Sequence, residues 1–352
     1  QLALVFGSRE DLKNREPLEE IRRLYPSAHL FGCTTAGEIC STEVTDDSIV
    51  VTAVRFDHTC VVSAAIHVDE VEGSYQAGQR LAGALDAAGL RHVFVLSDGL
   101  RINGSDLVRG LSSALPPGVT VTGGLSADGA RFEETLVLRD GVPSGGAIAV
   151  LGLYGDRLRV GFGSLGGWDP FGPERLITRS KGNVLYEMDG RSALELYKTY
   201  LGEHAAGLPA TGLFFPLSLR SASGETGVVR TILSVDEREH SMTFAGDVPQ
   251  GSYARLMKAN ADRLIDGAVG AARTSFEPLA SSPDLAILIS CVGRKLVLKQ
   301  RIEEEVEGVR DVLGWRTALT GFYSYGELSP FGPQTRCELH NQTMTITTFS
   351  EV

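Results

Sequence analysis

No stretch of this 352-residue chain approaches the roughly 20 consecutive apolar residues that a membrane helix requires. None of its five cysteines (Cys33, Cys40, Cys60, Cys291 and Cys337) lies in a Cys-X-X-Cys pair. A helical span is therefore not expected, and neither is a structural zinc site. An odd number of dispersed cysteines also argues against a disulfide framework and fits a reducing cytoplasm. Positive charge is in short supply, with 33 Lys and Arg against 44 Asp and Glu and a net charge of −11. Such a balance opposes binding to phosphate backbones, so nucleic acid is not an expected partner. Gly-X-Ser-X-Gly and Cys-X-X-Cys-His are missing as well, which removes the nucleophile elbow and covalent haem attachment from consideration. The opening segment from Gln1 reads as a strand and not as a signal peptide, and whatever precedes Gln1 lies outside the sequence.

What is present is ordinary globular material, 43% apolar and 22% charged, in a chain long enough for two domains. Runs rich in Val, Ile and Phe alternate with helical periodicity throughout, which predicts a mixed α+β fold of mixed sheets flanked by helices. The strand His92 to Asp98 has a counterpart in Leu285 to Cys291, and Val121-Thr122-Gly123-Gly124 has one in Leu319-Thr320-Gly321-Phe322. Two related halves from an internal duplication are expected. The boundaries predicted are a first domain over 1–165, a connector over 166–207 and a second domain over 208–352. Within the second, the spacing predicts a helix over Tyr253 to Arg273 and continuous strands over Ala318 to Glu327 and Cys337 to Phe349.

Four segments carry candidate ligand chemistry. Gly32-Cys33-Thr34-Thr35-Ala36-Gly37-Glu38 runs from a strand into small residues, which lets backbone approach a ligand or simply makes a tight turn around a buried cysteine. Ser290-Cys291-Val292-Gly293-Arg294 sits at a strand's carboxyl end, where α/β sheets place ligands. Its Arg294 suits a carboxylate, or else pairs with an acid such as Glu327. Gly321 to Glu327 adds Tyr323, Tyr325 and a carboxylate. In the last segment His340 shares a strand face with Gln342, Met344 and Ile346 and is expected to face inward, with Asn341 on the other side. The run Glu303-Glu304-Glu305 with Glu307 reads as a solvated helix face.

These segments, together with Ser97-Asp98-Gly99, Gly123-Gly124-Leu125, Asp128-Gly129, the Gly-Trp-Asp-Pro-Phe-Gly-Pro run at 167–173, Asp189-Gly190 and Phe215-Pro216, resemble the FIST domains, whose N- and C-terminal modules would cover almost the whole chain. The resemblance implies an intracellular sensor of small ligands, without enzymatic activity, that regulates a separate signalling protein such as a histidine kinase or a cyclic-di-GMP protein. It also admits homodimerisation. One branch senses nitric oxide through non-covalent haem b; by that analogy His340 would be the iron ligand and Arg294 a propionate partner. The alternative ligand is an amino acid or other metabolite. On either reading the expected ligand-binding set is Cys33, Thr34, Thr35, Glu38, Cys291, Arg294, Tyr323, Glu327, His340 and Asn341. A hydrolase using Cys33 or Cys291 with His340 is the remaining alternative.

Overall fold

The structure, a computed structural model, describes residues 1–139, 141–221, 227–279, 281–331 and 336–352. In chain order, β1 (Leu2–Gly7) leads into α1 (Arg9–Lys13) and α2 (Arg15–Leu24). Ser8 and Asn14 cap these helices by accepting from the Asp11 and Glu16 amides. The chain returns as β2 (His29–Thr34), followed by β3 (Glu38–Cys40), β4 (Glu43–Thr45), β5 (Ile49–Val54) and β6 (Cys60–His67). Next come α3 (Ser74–Gly83), β7 (Leu90–Ser97), α4 (Gly104–Ala114), β8 (Thr120–Leu125), β9 (Val137–Arg139), β10 (Val142–Ser144), β11 (Ala147–Tyr154) and β12 (Leu158–Leu165). The chain then forms β13 (Asp169–Lys181), β14 (Val184–Met188), β15 (Arg191–Ser192), α5 (Ala193–Leu201), β16 (Leu217–Arg220), β17 (Val229–Arg230), β18 (Ile232–Asp236), β19 (Ser241–Phe244) and β20 (Tyr253–Lys258). It ends with α6 (Ala261–Phe276), β21 (Leu285–Cys291), α7 (Val292–Leu298), α8 (Ile302–Leu313), β22 (Ala318–Ser324), β23 (Gly326–Pro330), β24 (Cys337–His340) and β25 (Met344–Glu351).

Two compact units result. The first comprises 1–165, 265–339 and 343–352; the second comprises 166–264 and 340–342. The mixed α+β class expected from the sequence is what the chain adopts. Among the described residues no helix is long and apolar enough to cross a membrane.

The first unit is built from three sheets with one plan. Their orders are β10-β9-β2-β1-β5, β24-β23-β8-β7-β11-β6 and β4-β3-β22-β21-β25-β12. Each centres on a parallel pair joined through helix: β1 with β2, β7 with β8, β21 with β22. Each pair is flanked by antiparallel strands, and one of those is donated by the chain leaving another sheet. After β2 the chain crosses to pair β3 with β22, after β8 it pairs β9 with β2, and after β22 it pairs β23 with β8. The exchange is cyclic. The two copies recognised in the sequence are thus β7/β8 and β21/β22, and β1/β2 is a third.

A glycine marks the same register in all three pairs, with Gly32 opposite Val5, Gly123 opposite Val95 and Gly321 opposite Leu288. A Cβ at any of them would run into the facing strand's carbonyl oxygen. Apolar side chains from the faces of these sheets, among them Phe6, Phe31, Phe94, Leu151, Ile287 and Phe322, fill one continuous core.

The second unit is an antiparallel sheet, β17-β16-β20-β13-β14-β19-β18 with β15 on β14, packed on α5 around Leu185, Tyr197, Leu217, Met242 and Phe244. Residues 166–207, read from the sequence as a connector, supply β13, β14, β15 and α5 of this body. The helix expected over Tyr253 to Arg273 is instead β20 followed by α6. Ala254 and Leu256 are buried while Tyr253, Arg255 and Met257 are only partly so, a strand's alternation, and the helical stripe begins at Leu264. The last predicted strand also divides. Gln342 has φ +63°, which an extended strand does not accommodate, so β24 and β25 enter different sheets.

Candidate functional site

The carboxyl ends of the parallel strands meet in a closed ring of backbone hydrogen bonds. The Ala36 amide donates to the Tyr323 carbonyl (2.8 Å), the Tyr325 amide to Leu125 (3.3 Å) and the Ala127 amide to Thr34 (2.9 Å). The ring brings together three of the sequence-predicted segments: the one ending at Glu38, the one around Arg294 and the one around Tyr323 and Glu327. It adds Gly123–Gly129, which the sequence reading had not placed in the site.

Beneath the ring lies a fully buried polar network. Arg294 is 0% exposed and grips Glu305, also 0% exposed, through Nε (3.1 Å) and Nη2 (2.7 Å). The other Glu305 oxygen accepts from Tyr323 Oη (2.6 Å) and Ser290 Oγ (3.1 Å). Burial, then the Glu305 carboxylate, hold the Tyr323 phenol well above its ordinary range. Arg294 therefore grips Glu305 directly, while its charge also reaches Glu327 and acts to lower that carboxyl's pKa, and Glu305 is no solvated acid. It lies three residues after Ile302 and four before Val309, on the buried stripe of α8. That spacing was the signal available for finding it.

Above the network is a half-open polar cluster. Glu38 is 1% exposed and accepts from Thr35 and from Ser48 Oγ (2.7 Å). Burial raises its carboxyl, and Lys295 works the other way. The Lys295 ammonium donates to the Ala36 carbonyl (2.8 Å), pairs with the exposed Asp46 and lies 5.5 Å from the Tyr323 ring centroid. Gly37, at φ +134°, leaves the space this ammonium occupies. Lys295 and Asp46 were not singled out from sequence, because nothing local ties α7 to a turn some 250 residues earlier.

Glu327 occupies the place in its module that Glu38 occupies in its own, and each carboxylate accepts from a hydroxyl three residues earlier. Ser324 Oγ donates at 2.7 Å, and the Thr343 amide (3.2 Å) and hydroxyl (2.9 Å) complete the Glu327 shell. Burial pushes this carboxyl from 4.5 up to about 8 against those donors. The folded state then holds a proton that the unfolded chain releases above pH 4.5. Stability from this group is complete below that pH, falls as pH rises and levels off above about 8. Urea titrations at several pH values are expected to show Glu327→Gln gaining on the unsubstituted chain between these limits.

The remaining predicted residues are buried. Cys33 is buried in the apolar core, which drives its thiol pKa well up and makes it a poor nucleophile. Thr34 Oγ1 accepts from the Leu136 amide (2.9 Å) and braces β9. Cys291 is buried at the start of α7. Asp128 gathers the amides of Phe132, Glu133 and Glu134, each at 3.0 Å, and the Tyr325 hydroxyl, ordering the loop after the ring. In the second unit His340 is 1% exposed and Asn341 0%.

As placed here, neither residue of the haem reading is open to a porphyrin: the His340 ring is 1% exposed, and the Arg294 guanidinium is 0% exposed and holds Glu305. Among the described residues no cluster of three or more His, Cys, Asp or Glu could hold a metal ion.

Comparison with known proteins gives two family matches, a FIST N domain over residues 1–191 and a FIST C domain over residues 193–330. FIST domains are small-ligand sensor domains of signalling proteins. The chain is also similar to the uncharacterized protein MJ1623 of Methanocaldococcus jannaschii, 23% identical over 343 residues. That match covers 90% of this chain and 63% of the relative, so the chain spans less than two thirds of that protein's length. Among solved structures, a cyanuric acid hydrolase from A. caulinodans aligns over 83% of this chain and 99% of its own at 11% identity, with a TM-score of 0.20.

Proposed function

The chain belongs to the FIST family, and from that premise we propose that it senses a small organic acid or amino acid at the Lys295 cluster. The observation that carries this reading is an ammonium only 18% exposed, seated over a glycine at the strands' carboxyl ends and neutralised on its open side by Asp46, itself 67% exposed. A ligand carboxylate is a direct competitor for that position. Ser48, partly exposed and already donating to Glu38, stands beside it to receive a second polar group, such as an amine.

Displacing Asp46 frees the turn between β4 and β5, which Ser48 otherwise ties to Glu38, next to β4 itself, which is joined to α8 through the Val44 amide and Glu303 (3.3 Å). A change in that surface turn is what a separate partner, a histidine kinase or cyclic-di-GMP protein, would read. Activity in this scheme is binding and relay, with no bond made or broken.

Calorimetry of the full chain against a panel of amino acids and mono- and dicarboxylic acids tests the reading. Lys295→Met is expected to weaken the best ligand by about tenfold or more, the loss of one charge-assisted hydrogen bond. Asp46→Ala, which removes the internal competitor, is expected to tighten it. Affinity unchanged in both variants would place the ligand elsewhere.

A further inference from the structure

A cavity lies at the opposite, amino-terminal end of β2, between the first sheet and β6. It has a volume of about 220 Å³. Its floor is apolar, formed by Phe31, Leu138 and Ala149, all buried. Its rim is polar: Arg22 anchors Nη1 on the Ala28 carbonyl (3.0 Å), and His29 Nδ1 meets Ser63 Oγ at 3.0 Å across the two sheets. Among the described residues no carboxylate lies within ion-pairing distance of Arg22. Gly141, at φ +78°, makes room for its Nη2 atom.

The pseudo-threefold plan shows that such a crevice need not be open. At the corresponding place in the second sheet His92 bonds Thr120 Oγ1 (2.7 Å) and Thr122 Oγ1 (3.0 Å) and packs edge-on against Phe349, closing the gap with side chains. His29 occupies the position of Thr120 but reaches across to Ser63, and the space stays unfilled.

We propose that this cavity is a second binding site, for a small carboxylate with an apolar body such as an aromatic acid. An apolar cavity of about 150 Å³ already accepts benzene, so the volume here takes a ring and directs its carboxylate to the rim. Arg22 supplies the charge, and Ser63 and His29 supply further hydrogen bonds. With Arg22 the only Lys or Arg among the residues lining the cavity, phosphate is disfavoured.

Benzoate is the probe, with benzamide as its uncharged isostere and inorganic phosphate as the anion control, followed by the His29 ring resonances of the full chain. Saturable shifts are expected with benzoate, with benzamide and phosphate about tenfold weaker or more. Arg22→Met should weaken benzoate by a similar factor and leave benzamide unchanged, while Lys295→Met should leave both unchanged. Equal affinity for benzoate and benzamide, phosphate binding as tightly as benzoate, or benzoate affinity insensitive to Arg22→Met would each overturn the assignment.

Discussion

Arg294→Met is expected to lower the stability of the chain by about 3–5 kcal/mol, the cost of leaving one member of a buried ion pair without its counter-charge. The environment makes the effect large. Glu305 and Arg294 are both inaccessible to water, so the remaining carboxylate would keep only Tyr323 and Ser290 as donors. Glu305→Leu should cost a similar amount for the converse reason. The double variant Arg294→Met/Glu305→Leu removes both charges together and is expected to recover most of the loss, since a packed apolar pair replaces a buried ionic one at little cost. Urea unfolding of the four proteins decides the matter. Additive losses would mean the two side chains are not energetically coupled.

The second large effect concerns the three equivalent glycines. Gly32→Ala, Gly123→Ala and Gly321→Ala each drive a methyl group into the carbonyl of the neighbouring parallel strand, which only a shift of backbone can relieve. Each substitution is expected to cost about 3 kcal/mol or more, the upper end of overpacking penalties. Because the register is the same in all three sheets, a large loss is expected at each, greatest at Gly123, whose φ of +152° strains any side chain as well. Gly83→Ala provides the control, with nothing within 4 Å of the added atom, and should change stability by less than about 1 kcal/mol. A small effect at any one of the three glycines would show that its sheet does not share the common geometry.

Much of this architecture was legible in the residues. The buried runs His92–Ser97 and Leu285–Ser290 announce central strands, and the glycines that follow announce close approach. The first copy was harder to see, because Leu2–Gly7 and His29–Thr34 are joined by two short polar helices with only Leu12, Leu18 and Ile21 buried. The exchange of strands was invisible, since Glu38–Cys40 pairs with Thr320–Phe322 and no local pattern encodes a partner so distant.

The site was read in part for the same reason. Glu38, Arg294, Tyr323 and Glu327 are in the converging segments, but Arg294 looked available until Glu305 was found on the inner face of an acidic helix. Lys295 stands next to Arg294 in sequence, and its value depends on which turn is folded beneath it. Tyr253–Lys258 shows the opposite failure, in which apolar spacing compatible with a helix was claimed by a strand ladder with β13 and β16.

The cyclic strand exchange also bears on how the polypeptide is made. The amino-terminal family segment ends at residue 191, yet β3 needs residues 320–322 and β12 needs residues 344–351 to complete their ladders. While the ribosome is still synthesising the middle of the chain, those edges have nothing to pair with and must be shielded by chaperones or left in solvent. Native closure of the first unit waits until residues 344–351 have been synthesised.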